Sequence, residues 1–199
     1  MKKRIFNPKK GLTLVELIVS VAAALSIVMA VWFAFGTSNI SLTRNLVRVE
    51  ISQNARAVLD RISREVRQAL EVTSELPDSE TDAVSEIKFQ DGHDASRVQY
   101  IRYFLENNQL KREQSHFYFE SDIECQGVCC RDTPERWVLY NVQDEFGNSP
   151  TECIDETIAI AENITELKFW GTENVYIKIK LNKNDQTVEF ITQINPRNI

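Results

Sequence analysis

Apolar residues form one long run near the start of the chain, from Leu12 to Phe35. As an α-helix this run would be about 36 Å long at about 1.5 Å per residue, whereas the hydrocarbon core of a membrane is about 30 Å thick. The run therefore predicts a membrane-spanning helix. It contains one charged side chain, that of Glu16. A carboxylate within a membrane helix is costly and usually has a functional partner, so Glu16 needs an explanation.

The helical pattern continues beyond the apolar run. Apolar residues recur at spacings of three and four, at Leu42, Leu46, Val49, Val58, Leu59, Ile62, Val66, Ala69 and Leu70. Neither Pro nor Gly interrupts this pattern before Pro77. We therefore predict a single helix from Leu12 to Val72, ended by Pro77 and the acidic residues 78–82. Its amphipathic half, within residues 36–76, is expected to pack one stripe on a sheet.

The pattern then changes to the two-residue alternation that is typical of β-strands. The predicted strands are residues 86–89, 98–103, 109–112, 175–181 and 188–192. Turns at residues 106–108 and 182–185 are expected to join neighbouring strands as hairpins. A long helix packed on an antiparallel sheet is an α+β fold, and this is the fold class that we predict.

Charge is unevenly distributed along the chain. The formal net charge is −6, from 23 basic and 29 acidic residues. Five basic residues and no acid precede Gly11, namely Lys2, Lys3, Arg4, Lys9 and Lys10. The rest of the chain has 18 basic residues against 29 acidic ones, a charge of −11. The basic end fits the cytoplasmic flank of a membrane segment, and the acidic remainder argues against direct nucleic-acid binding.

The N-terminal segment has three possible interpretations. An ordinary secretory signal has an apolar core of about 7–15 residues, which is shorter than this run. A plain signal anchor fits the length and the basic flank but leaves Glu16 unexplained. If a protease cuts between Gly11 and Leu12, the new amine of Leu12 lies one helical turn from Glu16. The amine and the carboxylate can then pair within one chain or between neighbouring chains.

The segment from Lys10 to Leu17, KGLTLVEL, resembles the prepilin signature of type IV pilins and type II secretion pseudopilins. The resemblance implies cleavage after Gly11 by a prepilin peptidase and N-methylation of Leu12. It also implies that Glu16 docks the amine of a neighbouring subunit in a helical fibre. Leu12 replaces the usual Phe, which the peptidase generally tolerates. The helix also lacks the central Pro common in major pilins, and this second departure argues against a role as the bulk fibre subunit.

Three further stretches, residues 53–69, 160–169 and 195–198, resemble PilW-type minor pilins and GspJ-type minor pseudopilins. Residues 160–169 resemble the strand that enters the last hairpin of these proteins. The implied role is to prime or cap fibre assembly, with other minor and major pilins or pseudopilins and an inner-membrane assembly platform as partners. The implied location is the inner membrane, with the head in the periplasm, and then the fibre.

The expected organisation has four parts. Residues 1–11 form a basic leader, 12–35 a transmembrane helix that later lies in the fibre core, 36–76 the amphipathic half of the helix, and 77–199 a β-rich head. Within the head, residues 125–153 contain all four cysteines, Cys125, Cys129, Cys130 and Cys153.

In an exported domain these cysteines predict two disulfides. The adjacent Cys129 and Cys130 should choose different partners, one bonding Cys125 and the other Cys153, because a bond between neighbours is strained. The sequence leaves all three pairings open. A tetrathiolate zinc site is the alternative, but such sites usually have two paired CxxC motifs and this chain has CQGVCC with one distant Cys. We expect no metal.

No motif in the sequence indicates an enzyme or a cofactor. His93 and His116 lack a flanking catalytic or metal-binding pattern, so surface or strand positions are expected. The acids Asp144, Glu145, Asp155 and Glu156 have the oxygen chemistry of calcium ligands but no defined ligand loop, and a solvated face is expected. The rival function of a different class is a signal-anchored periplasmic module that binds a ligand.

Overall fold

A computed structural model describes residues 13–94, 96–122, 125 and 129–196, apart from the side chain of Ile40. Gly11 and Leu12 lie outside the described residues. The described chain divides into two units between Leu46 and Val47. One long N-terminal helix and antiparallel strands confirm the predicted α+β class.

Helix α1 spans Leu14–Gln68. From Ile51 onward it buries a stripe of apolar residues at helical spacing, namely Ile51, Ala55, Val58, Leu59, Ile62 and Val66. Leu42, Leu46 and Val49, which the sequence pattern placed on the same stripe, are exposed. The packed face is therefore shorter than predicted.

The predicted end of the helix at Val72 is wrong. The helix ends at Gln68, and strand β1 takes up Glu71–Val72. The N–H of Leu70 donates to the carbonyl of Gln90, so the backbone here bonds to a neighbouring strand instead of the preceding helical turn. Residues 36–76 are thus not helical throughout, and Pro77 follows a helix that has already ended.

The first sheet has five antiparallel strands in the order β1-β2-β3-β4-β5. The other four strands are β2 (Glu86–Gln90), β3 (Gln99–Glu106), β4 (Gln109–Tyr118) and β5 (Thr151–Glu162). Asn107 and Asn108, both with positive φ (52° and 59°), form the predicted hairpin turn between β3 and β4. A two-residue turn of this kind matches the twist of the strands that it joins.

The second sheet has three antiparallel strands, β6 (Ile164–Trp170), β7 (Val175–Lys183) and β8 (Gln186–Ile194). The predicted final hairpin is confirmed, with Asn184 and Asp185 at positive φ in its turn. The expectation of one strand over residues 160–169 is wrong. Asn163, with φ of 63°, separates β5 in the first sheet from β6 in the second.

One apolar core joins the C-terminal part of α1 to both sheets. Its largest fully buried side chains include Phe89, Tyr103, Phe169 and Ile177. A bridge between Val84 and Phe169 connects the segment before β2 to β6. All of these residues belong to the unit that begins at Val47, which therefore has its own core.

Candidate functional site

Thr13 and Glu16 make reciprocal hydrogen bonds at the start of α1. The backbone N–H and the hydroxyl of Thr13 both donate to Oε2 of Glu16, each over 3.0 Å. The backbone N–H of Glu16 donates to Oγ1 of Thr13 over 3.3 Å. This is a capping box, in which the cap residue and the third helical residue satisfy each other's backbone donors.

The capping box gives Glu16 a local role that the sequence analysis missed. Its signal, Thr-x-x-Glu ahead of an apolar run, was present in the sequence. Both bonding groups of Thr13 are neutral, and within the described residues no cation pairs with Glu16. The box therefore explains why a carboxylate suits the start of this helix, but it leaves the negative charge without a counterion there.

The apolar part of α1 exposes large side chains to its surroundings. Trp32 is 79% exposed and Phe33 is 75% exposed. Within the described part of the chain, α1 is the one helix that is long and apolar enough to cross a membrane. By length and composition, this segment could serve as a membrane anchor or a signal.

The four cysteines form two pairs, Cys125 with Cys130 and Cys129 with Cys153. This is one of the three pairings that the sequence left open, and it gives the adjacent cysteines different partners. Cys130 has a positive φ of 44°, a turn of the backbone between the two neighbours. The pair of Cys129 and Cys153 connects positions 24 residues apart and attaches the loop to β5.

His116 lies at the centre of this disulfide region. It is on β4, as expected for a strand position, but it is fully buried. Its Nδ1 is 2.9 Å from Oδ2 of Asp155, and its Nε2 hydrogen-bonds to the carbonyl oxygen of Cys129. A carbonyl can only accept, so Nε2 carries a hydrogen and donates it. The ring stacks on Trp137 with centroids 4.4 Å apart.

Two further side chains connect the loop after Cys129 to the sheet. The indole N–H of Trp137 donates to the carbonyl of Cys130 over 2.8 Å. The guanidinium of Arg131 donates to the carbonyl of Ile154 over 3.0 Å, and its Nε is 3.5 Å from Oδ1 of Asp155. Sequence reasoning missed Trp137 and Arg131, because nothing in their local sequence indicates these distant partners.

The structure separates the four acids that were considered as calcium ligands. Asp144 accepts hydrogen bonds from the side chain and backbone of Asn148 and from the backbone of Phe146, which hold the pKa of the Asp144 carboxyl below its ordinary value. Asp155 faces His116, whereas its neighbour Glu156 is exposed and points to the opposite face of β5. Glu145 is exposed as well.

His93 lies on the exposed loop between β2 and β3, a surface position as expected, and its backbone N–H donates to Asp91. In the part of the chain that the structure describes, His93 has no hydrogen bond or ring contact with His116, Asp155 or Trp137.

When the chain is compared with models of protein families, with curated proteins and with solved structures, none of the three comparisons finds a match.

Proposed function

We propose that this chain is a minor type IV pilin of the PilW type or a minor pseudopilin, a non-enzymatic subunit that primes or caps fibre assembly. The observation that carries the proposal is the junction KGLTLVEL at residues 10–17, placed between a basic leader and an apolar helix. In this proposal Gly11 precedes the cut made by a prepilin peptidase, and Leu12 carries the new, N-methylated amine.

The start of α1 is compatible with this processing. The helix begins at Leu14 and is capped by Thr13, so the Gly11–Leu12 bond precedes its first residue. Removal of residues 1–11 would leave the capping box intact, since both of its members follow the cut.

The exposed apolar side chains of α1 need a non-aqueous environment. In the proposal this environment is first the lipid of the inner membrane and later the helices of neighbouring subunits, which are other minor and major pilins or pseudopilins. Glu16 has no cation within the described residues, and the amine of an adjacent subunit would supply one. An inner-membrane assembly platform would transfer the subunit from membrane to fibre, with the head on the periplasmic side.

The decisive experiment is to produce the full chain with and without an active prepilin peptidase and to measure its intact mass. We expect a loss of mass equal to residues 1–11 and a gain equal to one methyl group, only when the peptidase is present. Gly11→Val is the matched variant, because a branched side chain at the cut should prevent cleavage. An established prepilin processed in the same cells serves as the positive control.

An intact leader in cells that process the control would refute the proposal. That result would instead support the signal-anchored periplasmic module that binds a ligand, in which α1 acts as a permanent tether.

A further inference from the structure

The disulfide between Cys129 and Cys153 lies beside two other potential metal ligands. One donor atom each from His116, Cys153 and Asp155 lies within 4.8 Å of the other two. Cys129 adds a fourth donor, because its sulfur is bonded to that of Cys153. Two sulfurs, an imidazole nitrogen and a carboxylate oxygen are all ligand types that zinc accepts.

We propose that Cys129, Cys153, His116 and Asp155 bind one Zn²⁺ when the Cys129–Cys153 disulfide is reduced. The disulfide and the zinc site would then be alternative states of the same residues. This ligand set differs from a tetrathiolate site, because Cys125 and Cys130 are not part of it. The inference uses only contacts within the head, so it does not depend on the proposed function.

Reduction of the Cys129–Cys153 disulfide takes two electrons and two protons. A reductant such as a phosphine supplies two electrons to the S–S bond, two protons from water complete the thiols, and the phosphine becomes its oxide. Zn²⁺ then replaces the proton of each thiol, and both protons go to solvent. The proton between Nδ1 of His116 and Oδ2 of Asp155 also goes to solvent, so His116 binds through the lone pair of Nδ1 and Asp155 binds as a carboxylate. No electron is transferred to the metal.

The surroundings of His116 suit a zinc ligand. Metal-binding histidines usually donate their second ring N–H to a carbonyl or carboxylate, which determines the tautomer and orients the ring. His116 already donates from Nε2 to the carbonyl of Cys129, which leaves Nδ1 on the side of Asp155. Stacking on Trp137 restricts rotation of the ring further.

Asp155 has a buried carboxylate oxygen without a hydrogen bond among the described residues. Its Oδ1 is buried and has no hydrogen-bond partner in the described part of the chain, because Nε of Arg131 is 3.5 Å away. An unsatisfied buried carboxylate oxygen is costly, and a metal ion would satisfy it. Two thiolates, one carboxylate and Zn²⁺ carry a net charge of −1, which the adjacent Arg131 would neutralise.

The donor atoms need only a small movement to bind zinc. Zinc bonds of about 2.0–2.3 Å in a tetrahedral site place neighbouring donors about 3.3–3.8 Å apart. The three donors that lie within 4.8 Å of one another must therefore approach by about 1.5 Å at most. Reduction of the disulfide gives the loop around Cys129 the freedom for this movement.

A zinc-bound state would have a consequence for oxidation of the cysteines. Of the three possible pairings, the structure contains the one that joins Cys129 to Cys153. Zinc bound to those two residues in the reduced chain would hold their sulfurs together and keep Cys129 away from Cys125 and Cys130. Zinc should therefore favour the observed pairing when the chain is oxidised.

The test uses the full-length chain in detergent, reduced with a phosphine that is then removed under anaerobic conditions. Zinc is added, unbound metal is removed, and bound metal is counted by native mass spectrometry. We expect one Zn²⁺ per reduced chain and none per oxidised chain. Co²⁺ should give a tetrahedral absorption spectrum with sulfur-to-metal charge transfer from two thiolates, and Trp137 fluorescence should be quenched because the ring stacks on His116.

Matched variants separate this site from the alternatives. The double variant Cys125→Ser/Cys130→Ser should still bind one Zn²⁺ after reduction. Asp155→Asn, which preserves the shape of the side chain but removes a charged oxygen ligand, should weaken zinc binding by more than the roughly tenfold that loss of an outer-shell partner costs. Circular dichroism checks folding: if the reduced chain is unfolded without metal, zinc should restore the native spectrum.

Three results would overturn the proposal. They are the absence of zinc from the reduced chain, the loss of zinc in Cys125→Ser/Cys130→Ser, which would indicate a tetrathiolate site, and unchanged affinity in Asp155→Asn.

Discussion

Glu16 has two separable properties, an acceptor oxygen and a negative charge. The oxygen accepts from the backbone and hydroxyl of Thr13 and so begins α1. The charge has no counterion among the described residues and, in the proposed function, binds the amine of a neighbouring subunit. Glutamine shares the first property but not the second, and it is accepted at this position of a capping box.

Substitutions at Thr13 and Glu16 distinguish the two roles. We expect Glu16→Gln to retain the capped helix start and to abolish incorporation into fibres, because the neighbour's amine is left without a charge partner. Thr13→Val removes the side-chain cap but preserves the charge, so its fibres should still form at a reduced yield. Fibres sheared from cells are quantified, with membrane-inserted subunit as the control. Normal assembly of Glu16→Gln would show that the carboxylate only caps the helix.

A second residue-scale feature attaches α1 to the sheet. Nε of Arg112 on β4 is 2.9 Å from Oε2 of Glu65, and the hydroxyl of Tyr103 on β3 donates to the same oxygen over 2.7 Å. The side chains of Arg112 and Glu65 are 9% and 20% exposed. Burial, with a further contribution from the charge of Glu65, raises the pKa of the Tyr103 phenol, so Tyr103 remains a donor.

Replacing Arg112 alone should lower the free energy of unfolding more than replacing Glu65, Tyr103 and Arg112 together. We expect Arg112→Met to lower the free energy of unfolding by about 3 kcal/mol, the lower end of the range for buried pairs, because Glu65 keeps some solvent contact. The triple variant Glu65→Leu/Tyr103→Phe/Arg112→Met should recover most of that loss, since no buried charge stays unpaired. Urea denaturation measures both. A triple variant less stable than Arg112→Met would contradict this account.

At the scale of elements, the end of α1 depends on a neighbouring loop. A Cβ atom at Gly92 would lie 1.9 Å from the carbonyl oxygen of Gln68, the last residue of the helix. Only glycine permits this close approach, because any side chain would collide with backbone. The approach coincides with the bond from Leu70 to Gln90, where the chain leaves the helix and joins β2.

Alanine at Gly92 should therefore disturb the junction of α1 and β1. We expect Gly92→Ala to lower the free energy of unfolding by about 2 kcal/mol, as for overpacking, and to speed amide hydrogen exchange at Leu70. Gly147→Ala is the control, because a Cβ there meets no atom within 4 Å and only its positive φ of 80° is strained. The control should leave exchange at Leu70 unchanged. Equal exchange in the two variants would disprove the role of the close approach.

At the scale of the molecule, the described chain divides into an N-terminal segment that ends at Leu46 and a folded unit that begins at Val47. The core residues all follow Val47, whereas the large apolar side chains between Leu14 and Phe35 are exposed. The folded unit buries its apolar residues in its own core and should not need the N-terminal segment for folding. The N-terminal segment, in contrast, buries little in the chain itself and should need lipid or other helices.

A truncated chain that begins at Val47 tests this division. We expect it to stay in the aqueous phase during detergent phase separation and to unfold cooperatively, because it contains the whole core. The full-length chain should enter the detergent phase, because its apolar helix would be exposed to water in the aqueous phase. Calorimetry and phase partition measure the two properties. Aggregation of the truncated chain, or the absence of a cooperative transition, would show that folding of the folded unit depends on the N-terminal segment.

Features that depend on residues close together in the chain can be predicted from the sequence. The apolar run predicted a long helix because hydropathy and length act locally, and two hairpins followed from alternating strands separated by Asn-rich turns. The α+β class followed from these elements together. The Thr13–Glu16 box was also present in the local sequence, although its pattern was overlooked.

Features that depend on residues far apart in the chain follow from the packing of the folded protein. The helix ends at Gln68 because β2 takes over the backbone bonds, and residues 160–169 divide at Asn163 because β5 and β6 join different sheets. The choice among three disulfide pairings and the contact of His116 with Asp155 likewise needed β4 and β5 side by side. Local propensity does not determine such contacts, because their stabilisation exists only after distant segments have packed together.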